Sequence, residues 1–148
     1  MGDNGLAPTW ASVVKNAREV SIYNALGGSL AFLTNPQVVG KLRQVVRVAS
    51  TDSRFIMDED NTLMGYRVPQ TSNVPSTLTK GSTFGSCSAM IFGNFNDLLI
   101  GQWGGTNVLV DPYQGSNSGT IRVVIFQDVD VAVRHAESFS STQDYTTT

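Results

Sequence analysis

The run TIRVVIFQDVDVAVR, residues 120–134, constrains this chain more than any other segment. Ile121, Val123, Ile125, Val129, Val131 and Val133 recur at period two, so they share one face of an extended strand. Arg122, Asp128, Asp130 and Arg134 share the other face. The segment therefore predicts a long β-strand with one aliphatic side and one charged side.

The N-terminal third reads differently. Residues 9–26 predict a helix, with Trp10, Val13, Val14, Ala17 and Val20 on one stripe and Gly27 and Gly28 ending it. SLAFLT, residues 29–34, is a short apolar run between breakers and suits a buried strand. NPQVVGKLRQVVRV, residues 35–48, predicts a second helix with Asn35 as N-cap and Pro36 at its first position. Its buried stripe is Val38, Val39, Leu42, Val45 and Val46, with Lys41, Arg43 and Arg47 off it. Residues 49–62 read as an exposed excursion, and LMGYRVPQTS, residues 63–72, as a strand ending near Pro69. Residues 73–85 form a long polar loop. CSAMIFG, DLLIGQWG and TNVLVDP are short strands, GSNSG (residues 115–119) is a turn, and the polar tail SSTQDYTTT frays. The order predicts an α+β domain, two main helices on a mixed or antiparallel sheet with a long C-terminal strand.

Charged residues make up 15% of the chain, against about a quarter in an average protein. Such a deficit fits a surface hidden against a partner, and equally a β-rich domain with uncharged polar loops. The net charge of −2 and the pI of about 5.2 argue against a basic footprint for nucleic acid. Cys87 is the only cysteine, so no internal disulfide forms; within SCSAMIFG it reads as a small buried hydrophobe made under reducing conditions. The first ten residues carry no signal-peptide pattern, and Leu6 stands where a myristoylation motif needs Ser or Thr. No window approaches the roughly 20 apolar residues of a membrane span.

Catalytic patterns fare poorly. His135, the only histidine, falls at the end of the long strand and reads as a structural residue. GSTFG and GSNSG carry Thr83 and Asn117 where a nucleophile elbow has serine. Asp128 and Asp130 lie two residues apart on one face, a pairing that hydrolases use, but Arg122 and Arg134 share that face and make a solvated or ion-paired stripe the simpler reading. A pocket enclosing the two carboxylates would favour a small hydrolase; exposure would count against it. DEDNT, residues 58–62, lacks the glycine and closing glutamate of a calcium loop. No cofactor or metal is expected.

Two stretches carry a resemblance. IFGNFNDLLIGQWGGTNVLVDPY followed by IRVVIFQDVDVAVRHAESF resembles the C-terminal half, the axial domain, of tailed-phage and prophage major capsid proteins of the Hong Kong ninety-seven-like fold. Phe92, Gly93, Asn94, Trp103, Gly104, Val110, Asp111, Pro112, Val133, Arg134, His135, Glu137 and Phe139 stand at the family's positions; Ala136 and Ser138 replace its usual proline and alanine. LAFLTNPQVVGKLRQV also resembles the family's strand and Asn-Pro-capped helix. The resemblance implies one domain: a flexible lead over residues 1–8, an axial-type domain over 9–120, a strand over 120–138 returning toward a peripheral domain, and a polar tail over 139–148. It implies a part of a non-enzymatic head protein that assembles with copies of itself, as pentamers and hexamers, into an icosahedral shell in the virion. The protein would be made in the bacterial host cytoplasm and would enclose double-stranded DNA without a specific binding site and without a membrane. Arg122, Asp128, Asp130 and Arg134 become candidate subunit-contact residues. An encapsulin-like nanocompartment shell protein, which shares the fold, is the alternative within the same class. An exposed apolar patch is expected where further polypeptide packs.

Overall fold

The structure, a computed structural model, describes residues 3–50 and 52–147. It divides into two compact units. The first runs to Asp97 and resumes at His135; the second is Leu98–Arg134.

The first unit begins with α1 (Trp10–Ile22). Thr9 caps it reciprocally: its Oγ1 accepts from the Ser12 N–H at 3.3 Å, and the Ser12 Oγ accepts from the Thr9 N–H at 3.1 Å. The helix stops four residues short of the expected end because Asn24 turns left-handed, at φ 56°. Val13, Ala17 and Val20 are buried, one helical turn apart.

β1 (Leu30–Thr34) follows, then α2 (Pro36–Leu42), with the Asn35 Oδ1 accepting from the Val38 N–H at 3.0 Å. The expected second helix ends early: Val46–Val48 is instead β2, paired with β3 (Asp52–Phe55). The Ile56 N–H donates to Val45 O at 2.9 Å and the Met57 N–H to Leu42 O at 3.2 Å. These bonds from the incoming strand replace the next helical turn, and the β-branched Val45, Val46 and Val48 favour the extended form. The expected exposed excursion over residues 49–62 thus contains buried Ile56 and Met57.

LMGYR is a tight hairpin rather than a single strand. Met64 (φ 57°) and Gly65 (φ 81°) form the two-residue turn between β4 (Thr62–Leu63) and β5 (Tyr66–Arg67). The expected polar loop contains β6 (Leu78–Lys80), which pairs with β7 (Thr83–Asn94).

The expected fraying tail is β10 (Phe139–Thr146), antiparallel to β7 from Phe139↔Gly93 to Thr146↔Cys87. Its hydroxyls meet a polar strip on α1: Ser140 and Thr142 donate to the Asn16 Oδ1, and the Tyr145 hydroxyl donates to the Ser12 Oγ at 2.8 Å. Most of the polar atoms buried here find a partner in this way, the Asn16 Nδ2 being the exception. The main sheet runs β10-β7-β1-β5-β4, with β1 and β5 parallel and the other pairs antiparallel. It is a mixed sheet with two α-helices, the α+β architecture expected. Phe32 and Phe92 stack at the core, 4.3 Å between centroids, with Tyr66 against Phe92 at 5.2 Å. Cys87 is fully buried.

The second unit is one hairpin, β8 (Leu98–Asp111) and β9 (Arg122–Val133), antiparallel from Leu98↔Val133 to Asp111↔Arg122. The long strand does not follow a finished domain; it pairs with the strand just before it, and DLLIGQWG and TNVLVDP merge into β8.

Candidate assembly surface

Directly opposed residues in an antiparallel pair lie on the same face, so the register sorts the hairpin's side chains. One face carries Ile100 opposite Val131, Val108 opposite Ile125, Val110 opposite Val123, and Val129 opposite Gln102. Apart from Gln102, Gln127 and the bulge residues Gly104 and Thr106 this face is aliphatic, yet Ile100 is 69% exposed and Ile125 64%. The other face is mixed. Leu99, Trp103, Leu109 and Phe126 are at least half exposed there, beside Asp128, Asp130 and the cross-strand pair Asp111↔Arg122. A two-stranded sheet with both faces wet is marginal in water, and contiguous exposed apolar surface of this kind marks a contact site.

Glycines and one aromatic shape the mixed face. Trp103 lies across Gly101, where an added Cβ would meet the ring at 2.8 Å. Between the pairs Trp103↔Asp128 and Asn107↔Phe126 the register shifts: Gly104, Gly105 and Thr106 oppose Gln127 alone. Gly104 takes φ +68° in this bulge. Two extra residues preserve the alternation, so the facial sorting survives the irregularity. At the far end the Asp111 carboxylate accepts from the Tyr113 N–H at 2.9 Å, and Arg122 donates to Gln114.

The four charged residues singled out by sequence do not form one cluster. Arg122, Asp128 and Asp130 alternate onto one face of β9, but Arg122 and Asp128 are six residues apart, roughly 20 Å along a strand. Arg134 lies just beyond the strand's end. Asp128 and Asp130 are exposed, and an Asp130 carboxylate oxygen accepts from the Val131 N–H at 2.8 Å. Among the described residues both carboxylates stand exposed, outside the dry, walled setting that tunes paired carboxylates for hydrolysis.

Within the first unit, a buried polar clasp joins the residues where the chain leaves and returns. Asp97 is 4% exposed and Ser138 2%. The Asp97 carboxylate accepts from the Ser138 hydroxyl at 2.6 Å and from the Asn94 Nδ2 at 3.2 Å. The Asn94 Oδ1 in turn accepts from the main-chain N–H groups of Ser29 and Asn96. Phe95 and Phe139 meet edge to face at 5.6 Å. Sequence reading missed Asp97 and Ser138; the available signal was a carboxylate three residues after Asn94, directly before an apolar run. His135 is exposed, and its carbonyl accepts from the Ser138 N–H at 3.2 Å.

Comparison with known proteins agrees with this geometry. The chain is 26% identical over 131 residues to the major capsid protein of Halomonas phage phiHAP-1, covering 88% of this chain and 20% of that protein. In fold it is similar to a structure from Mycobacterium phage Che8, with a TM-score of 0.64 at 15% identity, over 94% of this chain and 53% of the other. It is also similar to the holo encapsulin complex of Synechococcus elongatus, with a TM-score of 0.59 at 17% identity, over 96% and 51% of the two chains. The chain thus spans a fifth of the curated relative and about half of each of these solved neighbours. Residues 2–144 match the profile of the Phage capsid family, and the chain belongs to that family.

Proposed function

We propose that this chain is part of a structural major capsid protein that assembles with copies of itself into a closed shell around packaged double-stranded DNA. The observation that carries the reading is the β8–β9 hairpin, largely aliphatic on one face, mixed on the other, and exposed on both. Such a surface serves packing and offers no bond-making chemistry. The low charge content has the same origin, because residues that stay dry in an assembly do not need charge.

In this reading Arg122, Asp128, Asp130 and Arg134 take part in contacts between subunits, where alternating charge sets register and excludes wrong pairings more than it adds affinity. Pentamers and hexamers are the expected building blocks, the virion is the destination, and the host cytoplasm is the place of synthesis. The DNA is enclosed without base readout, in keeping with the net charge of −2.

The test is light scattering behind size exclusion, on this chain and on the longer subunit that contains it. Rings or shells from the longer subunit support the reading; monomers of both across salt and crowding end it. An encapsulin-like shell shares the fold, as the Synechococcus neighbour does. Nuclease-protected DNA inside the particles separates a head protein from a protein compartment.

A further inference from the structure

β10 closes one side of the main sheet, with β7 as its only neighbour in the strand order. The direction of its main-chain groups follows from β7. The Ala89 N–H donates to Pro75 O at 3.0 Å, and the Ala89 C=O accepts from the Thr34 Oγ1 at 2.9 Å, both on the β1 side. Alternation then turns the main chain of Met90 and Phe92 toward β10, where they pair with Thr142 and Ser140. The main-chain N–H and C=O of Ser141 therefore face outward, and Ser141 is exposed.

This edge already takes a strand elsewhere. The Leu6 N–H donates to Asp144 O and the Thr146 N–H donates to Leu6 O, both at 3.1 Å, in a parallel bridge at Tyr145. Among the described residues the bridge stops there, short of Ser141. Beside the open part lies a groove of about 940 Å³ between α1, β6 and β10. Asn16 lines it, 3% exposed, and its Nδ2 has no partner. Reversing the amide only exchanges the orphan, since the Ser140 and Thr142 hydroxyls meet the same end of the side chain. A buried amide atom left this way is unsatisfied at a cost in free energy. Lys15 and Lys80 are balanced there by Glu19 and Asp144, so the lining selects neither an anion nor a cation. A neutral set of hydroxyl and amide donors and acceptors beside an open sheet edge matches the main chain of an extended polypeptide.

We propose that the outer edge of β10 around Ser141, with the Asn16 groove, accepts an extended strand from a second copy of this chain. The inference rests on the self-assembly reading and names the edge that assembly uses. A second copy fits because this chain is poor in charge, as the groove is neutral, and because edge pairing needs only main chain. Unprotected edges are also a liability that proteins cover or use.

The test is hydrogen exchange on residues 139–143 of the full chain, dilute and assembled, together with Ser141→Pro and the control Ser141→Ala. Proline at an edge position removes the outward N–H and leaves the β7 ladder intact. The expected results are exchange slowed at least about tenfold on assembly, and association weakened about tenfold in Ser141→Pro alone. Equal exchange in both states overturns the proposal whether or not the proline variant folds. Assembly with an unprotected edge removes only this proposal, whereas failure of both this chain and the longer subunit to associate removes the self-assembly reading with it.

Discussion

The Ser138 hydroxyl donates to the buried Asp97 carboxylate at 2.6 Å across 41 residues of sequence, binding the point where the chain leaves the first unit to the point just after it returns. Hydrogen bonds to a buried charge are among the stronger ones, and breaking one from the acceptor side strands its donors. Asp97→Ala is expected to destabilise the chain by about 3 kcal/mol, and Ser138→Ala by about 2 kcal/mol. Urea unfolding checks both; an Asp97→Ala midpoint equal to the wild type would show that the clasp is idle.

Tyr145 gives a pH dependence with a definite sign. Burial raises the pKa of its hydroxyl above the ordinary 10.0, and the hydrogen bond to Ser12 offsets only part of that. The unfolded chain then loses this proton at lower pH than the folded one. The contribution is complete below pH 10.0 and is lost as pH rises from there through the folded value. Denaturant midpoints measured from neutral to strongly alkaline pH should fall in that window, and Tyr145→Phe should flatten the fall. An unchanged slope in the variant would assign the alkaline loss to other groups.

Gly93 has no room for a side chain. A Cβ there would lie 2.7 Å from the Ser138 carbonyl and would overlap the Phe139 ring. Gly93→Ala is expected to cost about 3 kcal/mol, at the upper end for overpacking, because the clash includes main chain. Thermal melting reads it; a loss below about 0.5 kcal/mol would mean that β10 shifts freely.

The hairpin separates stability from assembly. Ile125 is 64% exposed, so Ile125→Lys should leave the melting of this chain within about 0.5 kcal/mol of wild type. In the longer subunit the same change should abolish particles seen by electron microscopy, since it puts a charge on the aliphatic face. Asp128→Asn should leave particles intact and alter chiefly the salt dependence of their formation. Normal shells from Ile125→Lys would show that this face stays wet.

The parts of the fold legible in sequence are those where periodicity and burial coincide. The alternation over residues 120–134 became β9, and the stripe from Val13 to Val20 became the buried side of α1. The stripe through Val45 and Val46 misled, because tertiary bonds from Ile56 and Met57 decide the end of α2 and leave no local trace. β10 was hidden for a different reason. SSTQDYTTT is read as loop by polarity, and only the facing Ser12 and Asn16 make its hydroxyls buriable. The charged face of the hairpin was visible, whereas the clasp depends on a contact between Asp97 and Ser138 that no local pattern announces.

Among the described strands β10 is the one synthesised after all the others. It supplies Tyr145, the largest fully buried side chain of the first unit, and it pairs along β7 from Cys87 to Gly93. The first unit therefore cannot close until residues 139–146 have left the ribosome, by which time the whole apolar hairpin has already emerged. At roughly 5–20 residues per second the hairpin waits for seconds at most. A chain interrupted before Phe139 would then be an unfolded one with its most adhesive segment uncovered, a substrate for proteases and chaperones.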